Sequence, residues 1–343
     1  MTEANERLRS GSATLHDVAR EAGVSLATAS RVLNGSSRKV AESYRERVQA
    51  AADRLGYSAN LSAQATARGT SAIIALLVAD IADPYFGEIA SGVAQGADEA
   101  GLVVTIAITE RDTDREVRLV RALRGQRPRG VILAASRTAP EIAPQLVAEL
   151  DLVTAAGGRV VALGAGTDTV RSVIIDNRGG ARALGTALAE RGYRSAVVLA
   201  AAEGVLTSDN RVAGFTEGFT TAGGEAARVY RGAFTRESGA EIMAAALADG
   251  VEPQTLVFAV SDVVAIGAMS ALRAAGREPG TDVAVAGFDD IATSRDVTPA
   301  LTTVRVPLSD VGLETFRAAT DPDWTPQQLH VEVQLRDSTP PLS

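Results

Sequence analysis

Between residues 72 and 288, short apolar runs alternate with longer stretches of helical periodicity, and this alternation restricts the possible folds more than any other feature. Ala72-Ile73-Ile74-Ala75-Leu76-Leu77-Val78 is uniformly apolar, as a strand covered on both faces of a parallel sheet must be. A helix over Tyr85–Ala100 follows, then a strand over Val103–Ile108 and a helix over Thr113–Arg124. Val131-Ile132-Leu133, a helix over Ala139–Leu150 and Val160-Val161-Ala162-Leu163 complete a first series. The pattern starts again at Val173-Ile174-Ile175. Helices are predicted over Gly179–Arg191, Asn210–Ala222, Ser238–Leu247 and Asp262–Ala275, with strands at Val197–Leu199, Val229, Leu256–Ala259 and Val283–Phe288. Strands joined by crossover helices build parallel sheets with helices on both faces. The two series therefore predict an α/β chain with two doubly wound, Rossmann-like lobes of similar size. Ligands of such sheets sit outside the carboxyl ends of the strands, so two facing lobes hold a ligand between them. Pro299–Val304 is read as crossing back to the first lobe, Ser309–Ala319 as a helix and Leu329–Leu335 as a strand.

A different pattern precedes these lobes. Residues 14–34 read as two short helices joined by a tight turn. Thr14 can cap the first helix, with Asp17 in its first turn, and Gly23 can end it in the left-handed conformation. Ser25 can cap the second helix. Ala29, Val32 and Leu33 share one face and should pack on Val18 and Ala22. Ala27, Ser30, Arg31 and Asn34 share the opposite face, where small and hydrogen-bonding side chains suit approach to a groove. This is a helix-turn-helix, a motif whose second helix enters the DNA major groove. A third helix runs from about Glu42 to Leu55 with an apolar stripe of Tyr44, Val48, Ala51, Ala52 and Leu55. Residues 1–13 lack periodicity and are expected to be disordered. Residues 59–71 form a linker, within which Asn60 can cap a helix of two turns, too short to stand alone.

The charge is spread unevenly. The chain carries a net charge of -8, yet residues 1–70 hold ten Lys/Arg and seven Asp/Glu while the remainder holds 24 and 35. A basic head on an acidic body fits a head that meets phosphates. Cysteine is absent and only His16 and His330 are present, which excludes thiolate chemistry and disfavours a metal site. No apolar run reaches the length of a membrane span, and the N-terminus lacks a signal-peptide core; a cytoplasmic protein without cofactors is expected. An enzyme is the first rival reading. Gly164-Ala165-Gly166 follows a strand but lacks the third glycine of a dinucleotide fingerprint, and no Gly-Lys-Ser/Thr phosphate loop exists. A free solute-binding protein, the second rival, would share the cleft but carry an export signal and no helix-turn-helix.

Several blocks, in this order, give the chain a resemblance to the LacI (lactose repressor)/GalR family of bacterial transcriptional regulators over nearly its whole length. They are Val18-Ala19-Arg20-Glu21-Ala22-Gly23-Val24-Ser25 with Thr28 and Ser30–Gly35, Leu55-Gly56-Tyr57 with Asn60, and Asp83-Pro84-Tyr85-Phe86. Asp176-Asn177-Arg178-Gly179-Gly180, Arg211 in Arg-Val-Ala-Gly-Phe, Val285–Asp290, Leu301–Val304 and Leu335–Thr339 follow. The resemblance implies a three-helix head at 14–58, a hinge helix and linker at 59–71, and an effector-binding and dimerisation body at 72–343 of periplasmic-binding-protein type. The first lobe is expected at about 72–168 and 300–320, the second at about 169–299 and 321–343. It implies a homodimer on palindromic double-stranded operator DNA, most often as a repressor, controlled by a small sugar-like or nucleoside effector.

Site residues follow from the same resemblance. Leu26, Ala27 and Arg31 fall at the base-reading positions, with Thr28, Ser30 and Asn34 holding the DNA backbone. Arg31 is the reader able to hydrogen-bond guanine bidentately. Arg38, in the charged loop after the second helix, is placed for phosphate contact, His16 meets phosphate or solvent rather than bases, and Thr14 joins the DNA-binding set. In the hinge, Ala59 replaces the usual proline before Asn60, Ala63 lies where paired hinge helices cross, and Thr66 stands where the family places a leucine wedge. A threonine buries less apolar surface in an unstacked base step, so a weaker kink, or a different hinge contact, is expected. In the cleft, Phe234 matches the stacking aromatic, Asp289 the hydroxyl-binding carboxylate and Arg211 the bidentate donor. Asp83, Tyr85 and Phe86 are placed to face them from the first lobe, with Ser136, Ser261 and Asp262 completing the set; Ser261 stands where the family often has asparagine.

Overall fold

The computed structural model describes residues 13–33, 40–57, 70–135 and 142–342. The chain divides into two compact units, with the division at residues 68–69.

The smaller unit contains α1 (Leu15–Ala22), α2 (Leu26–Leu33) and α3 (Glu42–Leu55). Thr14 closes a capping box: the Asp17 amide donates to Thr14 Oγ1 at 3.3 Å, and the Thr14 amide donates to Asp17 Oδ2 at 3.0 Å. Gly23 ends α1 at φ 62°, a conformation that costs a residue with a Cβ. The Thr28 amide donates to Ser25 Oγ at 3.1 Å at the start of α2. Val18, Ala19, Ala22, Ala29, Val48, Ala51 and Ala52 form the core, and Arg47 from α3 donates to the carbonyls of Ala22 and Gly23 at the end of α1. The apolar stripe predicted for α3 is narrower than its sequence pattern. Tyr44 and Leu55 lie on the surface, because three short helices offer too little area to cover both ends of a four-turn helix.

The larger unit carries two parallel sheets. The first contains β1 (Ile73–Val78), β2 (Val103–Ile108), β3 (Gly130–Leu133), β4 (Arg159–Leu163) and β5 (Val170–Val173) in the order β2-β1-β3-β4-β5. β1 shows why its sequence is apolar throughout. Ile74, Leu76 and Val78 pack beneath α4 (Pro84–Glu99) and α12 (Leu308–Thr320), while Ala75 and Leu77 pack against α5 (Thr113–Arg124) and α6 (Pro144–Ala155). The second sheet contains β6 (Ala196–Ala201), β7 (Arg228–Gly232), β8 (Leu256–Ala259) and β9 (Ala284–Ala286) in the order β7-β6-β8-β9. Its faces are covered by α7 (Asn177–Glu190) with α8 (Leu206–Thr221), and by α9 (Arg236–Ala248) with α10 (Asp262–Ala274). Phe215 and Phe258 stack with centroids 4.4 Å apart inside the first of these layers.

Three details differ from the sequence reading. The strand expected at Val173–Ile175 is Val170–Val173, and it pairs with β4, so the first lobe extends beyond residue 168. Ile175 instead makes an isolated bridge to Leu329. The segment at 300–306 does not join the first lobe: β10 (Thr303–Arg305) pairs antiparallel with β11 (Glu332–Gln334), and Thr302 bridges Ala286 of the second sheet. The helix expected from Ala139 begins at Pro144, whose fixed φ suits a first helical turn. A short helix α11 (Thr293–Asp296) lies between β9 and β10. The polypeptide therefore passes between the lobes three times: after β5, between β10 and α12, and between α12 and β11.

α4 and α12 pack backbone against backbone. A Cβ on Gly92 would overlap the Ser309 carbonyl, and one on Gly312 would overlap the Ile89 carbonyl. Gly92→Val should therefore force these helices apart and lower stability by about 1–3 kcal/mol or more. Urea unfolding of the full-length variant measures this loss, and an unchanged midpoint would show that the helices separate without penalty.

Candidate functional sites: an exposed helix and an interlobe cleft

In the head, the cap at Ser25 starts α2 so that Ala29 turns inward while Leu26, Ala27 and Arg31 remain exposed. Leu26 is 39% exposed although apolar, which suits contact with a methyl-bearing surface. Thr28 and Ser30 are half-buried at the edge of this face, and Thr28 Oγ1 lies 2.8 Å from Ser25 Oγ. Thr14 and His16 are exposed at the start of α1, where Thr14 is engaged in its capping box. Asn34, Arg38, Asn60, Ala63 and Thr66 lie outside the described residues.

A cavity of about 230 Å³ lies between the two sheets. All nine parallel strands send a residue into it at or just beyond their carboxyl ends. Asp83, Arg111, Ala134, Leu163 and Ile174 follow the five strands of the first sheet; Leu206, Phe234, Ser261 and Asp289 follow the four of the second. The arrangement follows from parallel topology, because every crossover leaves its strand at the same sheet edge.

Arg211 and Asp289 anchor the second-lobe wall. Arg211 is 1% exposed, and each guanidinium nitrogen has a partner: Nε donates to Asn177 Oδ1 at 2.8 Å, Nη1 to the Val260 carbonyl at 2.7 Å, and Nη2 lies 2.8 Å from Asp289 Oδ1. Its carbon centre sits 3.8 Å from the centroid of the Phe288 ring. Asp289 holds φ 119°, unusual for a residue with a Cβ. The neighbouring strand pins that conformation: the Asp289 amide donates to the Val304 carbonyl at 2.8 Å, and the Val306 amide donates to the Asp289 carbonyl at 3.2 Å. Asp289 Oδ1 meets Arg211 off the hydrogen-bonding direction and has no aligned donor, so it can accept from a ligand. Burial pushes the Asp289 carboxyl up to about 7, against the pull of Arg211. Ser261 Oγ is a second buried atom on this wall without a hydrogen-bond partner.

The first-lobe wall carries Asp83, Tyr85 and Phe86. Asp83 caps α4 by accepting from the Tyr85 amide at 3.0 Å, and burial raises its carboxyl above the ordinary range. Burial and the nearby Asp289 raise the Tyr85 phenol, which keeps its proton and can both donate and accept. Phe86 is buried in the core, meets Tyr85 edge-to-face at 5.0 Å and presents an edge to the cavity.

Asp262, by contrast, stands behind the cleft. Its Oδ1 accepts from Thr303 Oγ1 at 2.6 Å and its Oδ2 from the Ile291 amide at 3.0 Å, which holds the segments around β9 and β10 together. A Cβ on Gly287 would overlap this carboxylate. Asp290 pairs with Arg295 and Arg336 away from the cavity. Ser136 lies outside the described residues. Sequence reasoning missed Arg111, Ile174, Asn177 and Asn210 in the lining. The first three follow strand ends closely, so applying the carboxyl-end rule to every strand would have found them. Ile174 is 62% exposed despite its apolar side chain, a mark of a ligand-facing surface.

Residues 71–322 match the family described as periplasmic binding proteins and sugar binding domain of the LacI family, and residues 14–60 match the lacI family of bacterial regulatory proteins. The chain belongs to the LacI family and is a DNA-binding transcriptional regulator. The HTH-type transcriptional regulator CelR of Thermobifida fusca is 34% identical over 315 residues, covering 90% of this chain and 91% of that protein. The ribose operon repressor of Halalkalibacterium halodurans is 31% identical over 304 residues, covering 89% and 88%. The lac repressor dimer bound to operator and the anti-inducer ONPF superimposes with a TM-score of 0.80 at 26% identity, over 96% of this chain and 100% of that one. A CelR–cellobiose complex gives 0.66 at 31% identity, over 95% and 99%. These relatives are regulators rather than enzymes. No helix among the described residues is long and apolar enough to cross a membrane.

The cleft carboxylate has a pH signature. The folded value of Asp289 lies above its ordinary value of 3.8, so between about pH 4 and 7 the folded chain holds a proton that the unfolded chain has released. Its stabilising contribution is complete below that window and is lost as pH rises through 7. Asp289→Asn should therefore flatten the decline in melting temperature between pH 5 and 8. Parallel pH profiles for wild type and variant would assign the slope elsewhere.

Proposed function

We propose that the chain represses transcription as a homodimer on a palindromic operator, and that a sugar or sugar derivative in the interlobe cleft sets its operator affinity. The observation that carries this reading is the buried Arg211–Asp289 pair beside Phe234. The guanidinium and carboxylate offer a fixed donor and acceptor to adjacent hydroxyls, and the aromatic face covers the apolar side of a sugar ring. A nucleoside shares the hydroxyl chemistry through its ribose. The solved CelR–cellobiose complex and the operator-bound lac repressor dimer support the two halves of the reading.

Residues 14–58 act as the reading head, 59–71 as the hinge and 72–343 as the ligand-binding body. Arg31 reads a base, with Leu26 and Ala27 supplying shape and methyl contact; Thr28, Ser30 and Asn34 hold the backbone. Asn60, Ala63 and Thr66 form the hinge contact. Asp83, Tyr85, Phe86, Ser136 and Ser261 complete the effector site around Phe234, Arg211 and Asp289. Edge strand β2 supports dimerisation, since Val103 and Ile106 are large apolar side chains on an open sheet edge. Ligand binding shifts the lobes, displaces the paired first lobes and alters the ordering of the hinge. Acting on DNA, the protein works in the cytoplasm at the nucleoid.

Arg31→Ala should lower affinity for the cognate operator by roughly 1–3 kcal/mol and leave random-sequence DNA less affected. Equal losses on both DNAs in fluorescence anisotropy would make Arg31 a phosphate contact. Asp289→Ala should abolish the change in operator affinity produced by the sugar, because it removes the acceptor and strands a buried guanidinium. A normal sugar response in this variant would overturn the site assignment.

A further inference from the structure

Arg111 lines the cavity with a guanidinium that no carboxylate among the described residues pairs with directly. It follows β2 in the first lobe, and its guanidinium carbon lies 5.0 Å from the centroid of the Phe234 ring on the opposite lobe. Its backbone amide donates to Thr109 Oγ1, but among the described residues its guanidinium makes no ion pair or hydrogen bond, and its Nε is buried without a partner. The contrast with Arg211 is instructive. Arg211 is paired with a carboxylate, so together they offer a donor and an acceptor, the combination that suits a neutral hydroxyl. Arg111 offers donors alone. Asp83, on the same wall, has one carboxylate oxygen committed to the α4 cap, and burial raises its protonation. Burial lowers the Arg111 value, while Asp83 and Asp80 act in the opposite direction without coming into ion-pair contact with it. A group that only accepts, and that brings negative charge, is the complement of such a donor.

We propose that Arg111 is a specificity-determining residue that selects an effector bearing an anionic oxygen group, the carboxylate of a sugar acid or the phosphate of a sugar phosphate, at the edge of the ring held by Phe234. The inference rests on the sugar reading of the cleft and narrows it. Arg211 and Asp289 hold ring hydroxyls from one side while Arg111 binds the charged substituent from the other lobe. The ligand's charge thereby joins the two lobes. Because Arg111 stands only 5.0 Å over Phe234, it must move aside from the ring face as the sugar takes that place.

The test is isothermal titration of the full-length protein with matched sets: glucose, glucuronate and glucose 6-phosphate; galactose and galacturonate; ribose and ribose 5-phosphate. In at least one set the anionic member should bind roughly tenfold or more tightly than its neutral parent. The carboxylate and phosphate arms show which group is preferred. Arg111→Met should abolish the preference, and Arg111→Lys, which retains charge without the planar fork, should keep part of it; melting curves show that both variants fold. Tighter binding of the neutral parents, or a preference that survives Arg111→Met, overturns this inference and leaves the sugar reading standing. Binding of no sugar in any set overturns the sugar reading and this inference with it.

Discussion

The larger unit is organised around one buried ion pair. Taking Arg211 and Asp289 out of water is costly unless their remaining valences are filled. The fold fills them with Asn177 from the start of α7, the Val260 carbonyl after β8 and the Phe288 ring after β9. Each partner comes from a different stretch of chain, so the guanidinium is held from several sides and cannot relax toward solvent. The strained backbone of Asp289 belongs to the same arrangement. The β10 segment fixes it through Val304 and Val306, and Asp262 fixes the flanking segments through Thr303 and Ile291. The reward is a carboxylate oxygen preset for an incoming donor, with little reorganisation left for the moment of binding.

Parallel topology supplies the rest of the cleft. Nine strands in two sheets direct nine loops to one place, and helices packed behind them keep those loops short. The close approach of α4 and α12 at Gly92 and Gly312 ties the C-terminal helix to the first lobe, although its neighbours in sequence, β10 and β11, belong beside the second sheet.

Much of this architecture was legible in the sequence because its signals are local. Uniformly apolar strands, crossover helices and the Thr14, Gly23 and Ser25 punctuation need only neighbouring residues to read. The misplaced features depend on distant partners. The apolar run at Val173–Ile175 reads as a buried strand, yet the pairing with β4 stops at Val173 and Ile174 turns into the cleft. Asp262 looks like Asp289 on paper: both are carboxylates just beyond strand ends. Donors distant in sequence, Thr303 41 residues away and the Ile291 amide 29 away, make one of them structural. Arg111 carries no motif, and its place over Phe234 arises from the meeting of two lobes. In the head, the burial of Ala29 and exposure of Leu26 follow from helical periodicity, whereas the exposure of Tyr44 and Leu55 depends on how little surface the two partner helices can cover.

The three passages of the chain between lobes have a topological consequence. Each lobe is assembled from segments far apart in sequence, so neither can be excised as a continuous piece. A protease that cut one crossover would divide this cysteine-free chain into two fragments, yet the packing of α12 on the first lobe and the pairing of β11 with β10 would hold the pieces together with the cavity walls still opposed. Cleavage there would loosen the relative motion of the lobes before it dismantled either one, giving a nicked molecule that still holds its ligand-facing groups but transmits their movement less faithfully.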